Sequence, residues 1–199
     1  MHPTIHQELT RIAINKYKND LPKEITVQFK EQIIKGTKAE DDWFMPSRTW
    51  NWHFYRQNEH IVKKTSFWKM NPTSEVIFEK HIKKMQTYPM NDPKRYKCLG
   101  RILHHIQDMN TPSHVTPIYH DPFTKDYFES FMIDALKDER FKPEIPNETM
   151  TLDKDFLSIY EDAAKKTLNL ITATKIKVTK DNQTIYLPLS IFWKDHTEE

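Results

Sequence analysis

The sequence LGRILHHIQDMNTPSHV, residues 99–115, carries the clearest structural pattern in this chain. Its apolar residues recur at three- and four-residue steps, which is the period of one helix face: Leu99, Leu103 and Ile106. Upstream, Asp92-Pro93 fits a helix start, because Asp caps a first turn and Pro is tolerated there. The pattern predicts a long helix from Pro93 to about Met109, followed by a loop with three prolines.

Polar residues of the same stretch are spaced as metal ligands are. His104 and Asp108 are four residues apart, so an imidazole and a carboxylate share one helix face and can converge on an ion. An isolated pair of this kind is more often a surface pair or a hydrogen bond, but His114 follows within six residues and favours a metal site. Gly100 lies one turn before His104, and we expect its missing side chain to leave room for a metal or substrate.

Helical periods continue on both sides of this stretch. They predict helices from Thr4 to Lys18, from Pro22 to a stop at Gly36, from Ser74 onward, and over residues 124–137 and 153–172. Residues 37–71 are rich in Trp and His without a clean period, which predicts a long ordered excursion of the kind that is usually functional.

The fold class predicted from these patterns is all-α: a single multi-helix domain over residues 1–199. The helical core spans about residues 4–173, and the tail 174–199 is expected to form a small β-hairpin around Asp181-Asn182. The chain has only two glycines, which disfavours Rossmann turns and phosphate-binding loops.

Composition narrows the functional classes. A length of 199 residues suits one domain, and a net charge of +2 gives no special support to nucleic-acid or anionic-membrane binding. The single cysteine, Cys98, excludes an internal disulfide and a cysteine-rich zinc site. No apolar run approaches the length of a membrane helix, and the residues after Met1 lack the features of a signal peptide.

Residues 99–115 resemble the helix of zinc-dependent phospholipases C and S1/P1-type nucleases, which carries His-x3-Asp followed by a proline and a histidine. Other marks of that family follow in the same order. His6 stands near the start of the first helix, Gly36 with Asp41 follows the second, and His53 opens His-Phe-Tyr. The resemblance covers about residues 4–131 and implies a helical metallohydrolase fold.

The last ligand pair departs from the family pattern, which is His-x3-Glu. Here Lys125 stands in place of the histidine and Glu129 in place of the glutamate, while His120 lies just upstream as a candidate substitute. The resemblance also implies a free N-terminal amine as a ligand, a role that stays open for Met1, as it does for His2. His60, His81 and His196 are predicted to be surface residues, and His105 to be packed or hydrogen-bonded on another helix face than His104.

With His120 as the substitute, the resemblance gives eight metal-ligand candidates: His6, Asp41, His53, His104, Asp108, His114, His120 and Glu129. Zinc takes about four ligands, so this set predicts two or three Zn²⁺ ions, with Asp108 or Asp41 suited to bridge them. Asp41 is also a candidate catalytic base, a role left open because a ligand is a poor free base.

The expected reaction is hydrolysis of phosphate esters by metal-bound hydroxide. A phospholipase C acting on phospholipid headgroups is preferred, with transient membrane-surface contact and no obligate protein partner. The alternatives are an S1/P1-type single-strand nuclease and a non-catalytic, metal-stabilised helical binding module, which the Lys125 departure favours. Tryptophans of the excursion, such as Trp50 and Trp52, could line a substrate cleft. The family resemblance suggests export with a trimmed signal, and a native Met1 would suggest the cytoplasm.

Overall fold

The computed structural model describes residues 3–41, 55, 74–115, 134, 155–180 and 183–189. Its helices are α1 (Pro3–Lys16), a π-helix (Glu24–Gln28), α2 (Lys30–Lys38), α3 (Ser74–Thr87), α4 (Pro93–Asp108), α5 (Pro112–Val115) and α6 (Phe156–Ala173). The strands are β1 (Lys175–Lys180) and β2 (Gln183–Pro188). The protein is therefore mostly helical with a small antiparallel sheet. None of the described helices is long and apolar enough to cross a membrane.

Helix α4 begins and ends where the sequence predicts. The Asp92 carboxylate accepts a hydrogen bond from the Lys94 backbone N–H at 2.8 Å, and Pro93 occupies the first turn. Ile102 in the middle of the helix is completely buried. A capped start and one apolar face thus fix α4 as the central helix of the fold.

The second predicted helix differs from the structure in two respects. The helix expected from Pro22 is divided at Phe29 into the π-helix and α2. Gly36 was predicted to end it, yet α2 continues to Lys38 with Gly36 buried inside it. The stop prediction was wrong because this glycine serves helix packing.

Gly36 is buried against Gly100, where α2 crosses α4. A Cβ added at Gly36 would lie 2.8 Å from the Gly100 Cα, closer than real Cβ contacts come. The sequence suggested that Gly100 leaves room for a metal or substrate. That prediction was wrong, because the Gly36 backbone fills the space. The lack of a side chain lets the two helix backbones touch.

Two buried clusters pack the other helices against α4, and Cys98 and Ile102 of α4 belong to the first of them. Phe78 of α3 stacks on Tyr160 of α6 with ring centroids 4.6 Å apart, and both side chains are fully buried. A second apolar cluster joins α1 and α2 to α4, with Phe29 stacked on Tyr96 at 4.1 Å. Both faces of α4 are thereby fixed relative to the other helices.

The C-terminal elements follow the sequence prediction. The Asp155 carboxylate caps α6 by accepting from the Ser158 backbone N–H at 2.8 Å. Strands β1 and β2 then pair antiparallel from Lys175 opposite Pro188 to Lys180 opposite Gln183. This confirms the predicted hairpin. The predicted helix over residues 124–137 and most of the excursion over residues 37–71 lie outside the described residues, although residues 37–38 belong to α2.

Candidate metal centre

Five of the predicted ligands meet at one place, and they come from four separate segments. His6 is on α1, Asp41 follows α2, His104 and Asp108 are on α4, and His114 is on α5. The side chains of His6, His104 and Asp108 are fully buried, and those of His114 and Asp41 are 7% and 14% exposed. The helix packing described above therefore brings together residues that are up to 108 positions apart.

The Asp108 carboxylate is the centre of this group. Its Oδ1 lies 3.2 Å from His6 Nε2 and 3.6 Å from His114 Nε2, and its Oδ2 lies 3.1 Å from His104 Nε2. Asp41 is farther out, with its oxygens 3.8 Å from His6 Nε2 and 4.0 Å from His104 Nε2. Asp108 thus directs its two oxygens toward different imidazoles, as a bridging carboxylate would.

Hydrogen bonds on the far side of two rings fix their orientation. His104 Nδ1 donates to the Thr37 backbone carbonyl at 2.8 Å, and His6 Nδ1 donates to Gln107 Oε1 at 2.7 Å. The Gln107 amide nitrogen in turn donates to Thr10 Oγ1 at 2.9 Å. Both rings therefore direct Nε2 toward Asp108. Metal-binding histidines commonly show this arrangement, in which the second ring nitrogen is hydrogen-bonded.

The pKa values of the two imidazoles, His6 and His104, shift in opposite directions. Burial and the neighbouring His104 lower the pKa of His6 from 6.5 to about 4. Burial would also lower the pKa of His104, but Asp108 and Asp41 beside it raise that pKa to about 9. Burial would raise the pKa of Asp108, yet His114 and His104 hold it well below its usual range. A neutral His6 thus stands beside an ionised Asp108.

The residues present fit a metal ion. His6 donates through Nδ1, so the Nε2 of the neutral ring carries a lone pair that faces a carboxylate oxygen 3.2 Å away. Among the described residues this buried nitrogen has no hydrogen-bond partner. A cation between nitrogen and oxygen would satisfy both atoms. Imidazole nitrogens mixed with carboxylate oxygens, without thiolates, are a donor set that Zn²⁺ accepts.

Three predicted ligands cannot be placed at this centre. His53, His120 and Glu129 lie outside the described residues. Tyr55 is described, and its backbone N–H donates to the His114 carbonyl at 2.8 Å. The end of the His-Phe-Tyr segment therefore lies beside one of the five ligands.

A second polar cluster was missed by the sequence analysis. His81 was predicted to be a surface residue, but it is only 7% exposed and its Nε2 lies 3.0 Å from Glu40 Oε1. The signal was present: His81 is four residues from both Ile77 and Met85, on the buried face of α3. His105 is buried and hydrogen-bonded on another face from His104, as predicted, with the two ring planes 84° apart.

Comparison with known proteins identifies no relative: no family model, no curated protein and no solved structure matches the chain.

Proposed function

We propose that this protein is a zinc-dependent phosphoester hydrolase of the phospholipase C and S1/P1 nuclease type. The observation that carries the proposal is the convergence of three imidazole Nε2 atoms, from His6, His104 and His114, on the buried carboxylate of Asp108. The sequence resemblance over residues 4–131 supports the same family and its helical fold.

The chain's own residues would hold and orient the reacting groups. Zinc, when bound, lowers the pKa of a coordinated water and neutralises charge on a phosphoryl oxygen. Asp108 would hold zinc with one oxygen beside His6 and His114 and the other beside His104. Thr37 and Gln107 keep the ligand nitrogens of His104 and His6 in line.

Asp41 marks the side from which a substrate would approach. It is the most exposed of the five described ligands, at 14%, whereas three of the others are completely buried. Its carboxylate is therefore the one placed to meet both an ion and a substrate water. This supports Asp41 as the ligand nearest the reaction and leaves it as the candidate that accepts a proton.

The substrate class follows from charge and from the resemblance. A net charge of +2 over the whole chain gives a nucleic-acid backbone little attraction, so we favour a phospholipid headgroup as the phosphodiester. The nuclease and the non-catalytic module are outcomes that the experiment separates.

The test combines metal analysis with turnover. Zinc per chain is measured by mass spectrometry, and hydrolysis is followed on bis-p-nitrophenyl phosphate, phosphatidylcholine micelles and single-stranded DNA. We expect bound zinc and turnover of the first two substrates. Asp108→Asn is expected to abolish turnover and to lose zinc, whereas Asp20→Asn, at an exposed position, keeps both.

Each other result assigns a different function. Faster turnover of DNA than of lipid would make the protein a nuclease. Bound zinc that depends on Asp108, without turnover of any of the three substrates, would identify a metal-stabilised module. A zinc-free protein that hydrolyses the substrates would contradict the proposal altogether.

A further inference from the structure

A second group of potential ligands lies outside the centre described above. Glu40, His81 and His105 are 1%, 7% and 2% exposed, and each offers a ligand atom within 4.8 Å of the other two. They come from three segments: the turn after α2, the middle of α3 and the last turns of α4. No residue of this cluster belongs to the set implied by the family resemblance.

The hydrogen-bonding state of His81 points to a missing partner. Its side chain is 8% exposed, and among the described residues neither ring nitrogen has a hydrogen-bond partner. Nε2 lies 3.0 Å from Glu40 Oε1, close enough for the two atoms to share an ion. Burying an imidazole is costly when its nitrogens lose water without gaining hydrogen bonds. Among the described residues His81 Nδ1 gains none, and Nε2 gains only the close approach to the Glu40 carboxylate.

His105 is oriented in the way that ligand histidines are. Ser74 Oγ is hydrogen-bonded to His105 Nδ1 at 3.0 Å, so a metal would be bound through Nε2. The rings of His81 and His105 are 5.8 Å apart between centroids and tilted by 31°. At this separation, each ring can direct one nitrogen toward a common point.

We propose that Glu40, His81 and His105 form a second divalent-metal site, distinct from the Asp108 centre, and that this site binds Zn²⁺. The donor set of two imidazoles and one carboxylate is one that zinc uses in proteins, with a fourth position open. Oxygen-seeking cations such as Mg²⁺ and Ca²⁺ are disfavoured by the two nitrogen donors.

Arg101 is compatible with this site. Its Nη1 donates to Glu40 Oε1 at 2.7 Å, and its side chain is 18% exposed. A carboxylate has about four lone-pair positions on two oxygens, so the guanidinium can keep one while an ion takes another. Arg101 therefore acts as the group that orients the carboxylate ligand, as hydrogen-bond partners of metal-binding carboxylates do.

A metal here would join α3 to the pair formed by α2 and α4. Of the three ligands, only His81 is on α3, so it is the one that carries the link. The site would thus hold in place the helix that stacks Phe78 on Tyr160. Its contribution is to stability and does not depend on the hydrolase proposal.

The experiment counts metal ions. Wild type, His81→Gln and the control Lys80→Gln, an exposed position on the same helix, are saturated with zinc, desalted and analysed by mass spectrometry. We expect His81→Gln to bind one zinc fewer than wild type and Lys80→Gln. A folded His81→Gln, by circular dichroism, that keeps the wild-type zinc content would overturn the proposal.

Anomalous diffraction from zinc-soaked wild-type crystals gives a result that does not rely on the variant folding. A zinc peak between Glu40, His81 and His105 is expected, and a saturated crystal without that peak overturns the site. A zinc peak without phosphodiester turnover would contradict the hydrolase proposal and leave the second metal site standing. Turnover without the peak would contradict the second metal site and leave the hydrolase proposal standing.

Discussion

Gly36 and Gly100 touch backbone to backbone, and this contact sets the distance between α4, which carries the candidate ligands His104 and Asp108, and α2, which Asp41 follows. A Cβ on Gly100 would lie 2.7 Å from the Gly36 Cα, 2.9 Å from the Thr37 nitrogen, and would collide with the Ile33 carbonyl oxygen. All three are main-chain atoms, so only separation of the helices could relieve the clash.

Gly100→Ala is therefore expected to destabilise the protein by about 1–3 kcal/mol, the range for overpacked cores. The same movement would pull the Thr37 carbonyl away from His104 Nδ1 and weaken zinc binding. Urea denaturation and zinc titration measure the two effects. Lys97→Ala, exposed on the same helix, is the control and should change the free energy of unfolding by less than about 0.5 kcal/mol. Equal stability of the two variants would contradict the close approach.

Gln107 orients His6 without being a ligand itself. Gln107→Leu removes the acceptor of the His6 Nδ1 hydrogen bond, and such losses typically weaken metal affinity about 10- to 100-fold. Competition with a zinc-sensitive chelating dye gives the affinity. Asn110→Leu is the matched control, because that amide is exposed and bonds only the Ile106 carbonyl among the contacts described. If Gln107→Leu binds zinc like wild type, the ring orientation does not depend on this bond.

Removal of zinc should lower the melting temperature. The five candidate ligands come from α1, the turn after α2, α4 and α5, so they meet only in the folded chain. A bound ion therefore stabilises the folded state and not the unfolded state. With free zinc about 100-fold above Kd the stabilisation is about 2.7 kcal/mol, or roughly 5–10 °C for a chain of this size. Thermal melts with chelator, and after zinc is added back, measure the change. Magnesium should not restore the melting temperature, and an unchanged melt in chelator would count against the centre.

Asp92 separates helix stability from metal binding. Asp92→Ala removes the cap of α4 and should cost about 1 kcal/mol, whereas Asp92→Asn, also a good cap, should cost less. Because the cap lies at the opposite end of α4 from Asp108, zinc content should stay at the wild-type level in both variants. Denaturant unfolding and metal analysis test the pair. A loss of zinc in Asp92→Ala would mean that the start of the helix controls its last turn.

The features that could be predicted from the sequence are those set by residues close together along the chain. The start of α4 follows from Asp92 and Pro93, and the shared face of His104 and Asp108 follows from their four-residue spacing. Both features are properties of a single helix. The approach of His6 to Asp108 is different, because it depends on how α1 packs on α4, and only the family resemblance suggested it.

The missed features all require knowledge of the partner across an interface. Gly36 is a plausible helix stop until Gly100 is known to lie against it. His81 is a plausible surface residue until Glu40, in the turn after α2, is placed beside it. Periodicity indicates which face of a helix is buried, but it does not identify what is buried against that face.

The two clusters use neighbouring residues of the same backbone. Glu40 and His105 belong to one, and Asp41 and His104 belong to the other. Successive residues on a helix point about 100° apart, so His105 cannot replace His104 as a ligand of the Asp108 centre. A one-residue deletion before it would put His105 in the place of His104, but it would also put Met109 in the place of Asp108. Any change of length or register at this point therefore alters both clusters together.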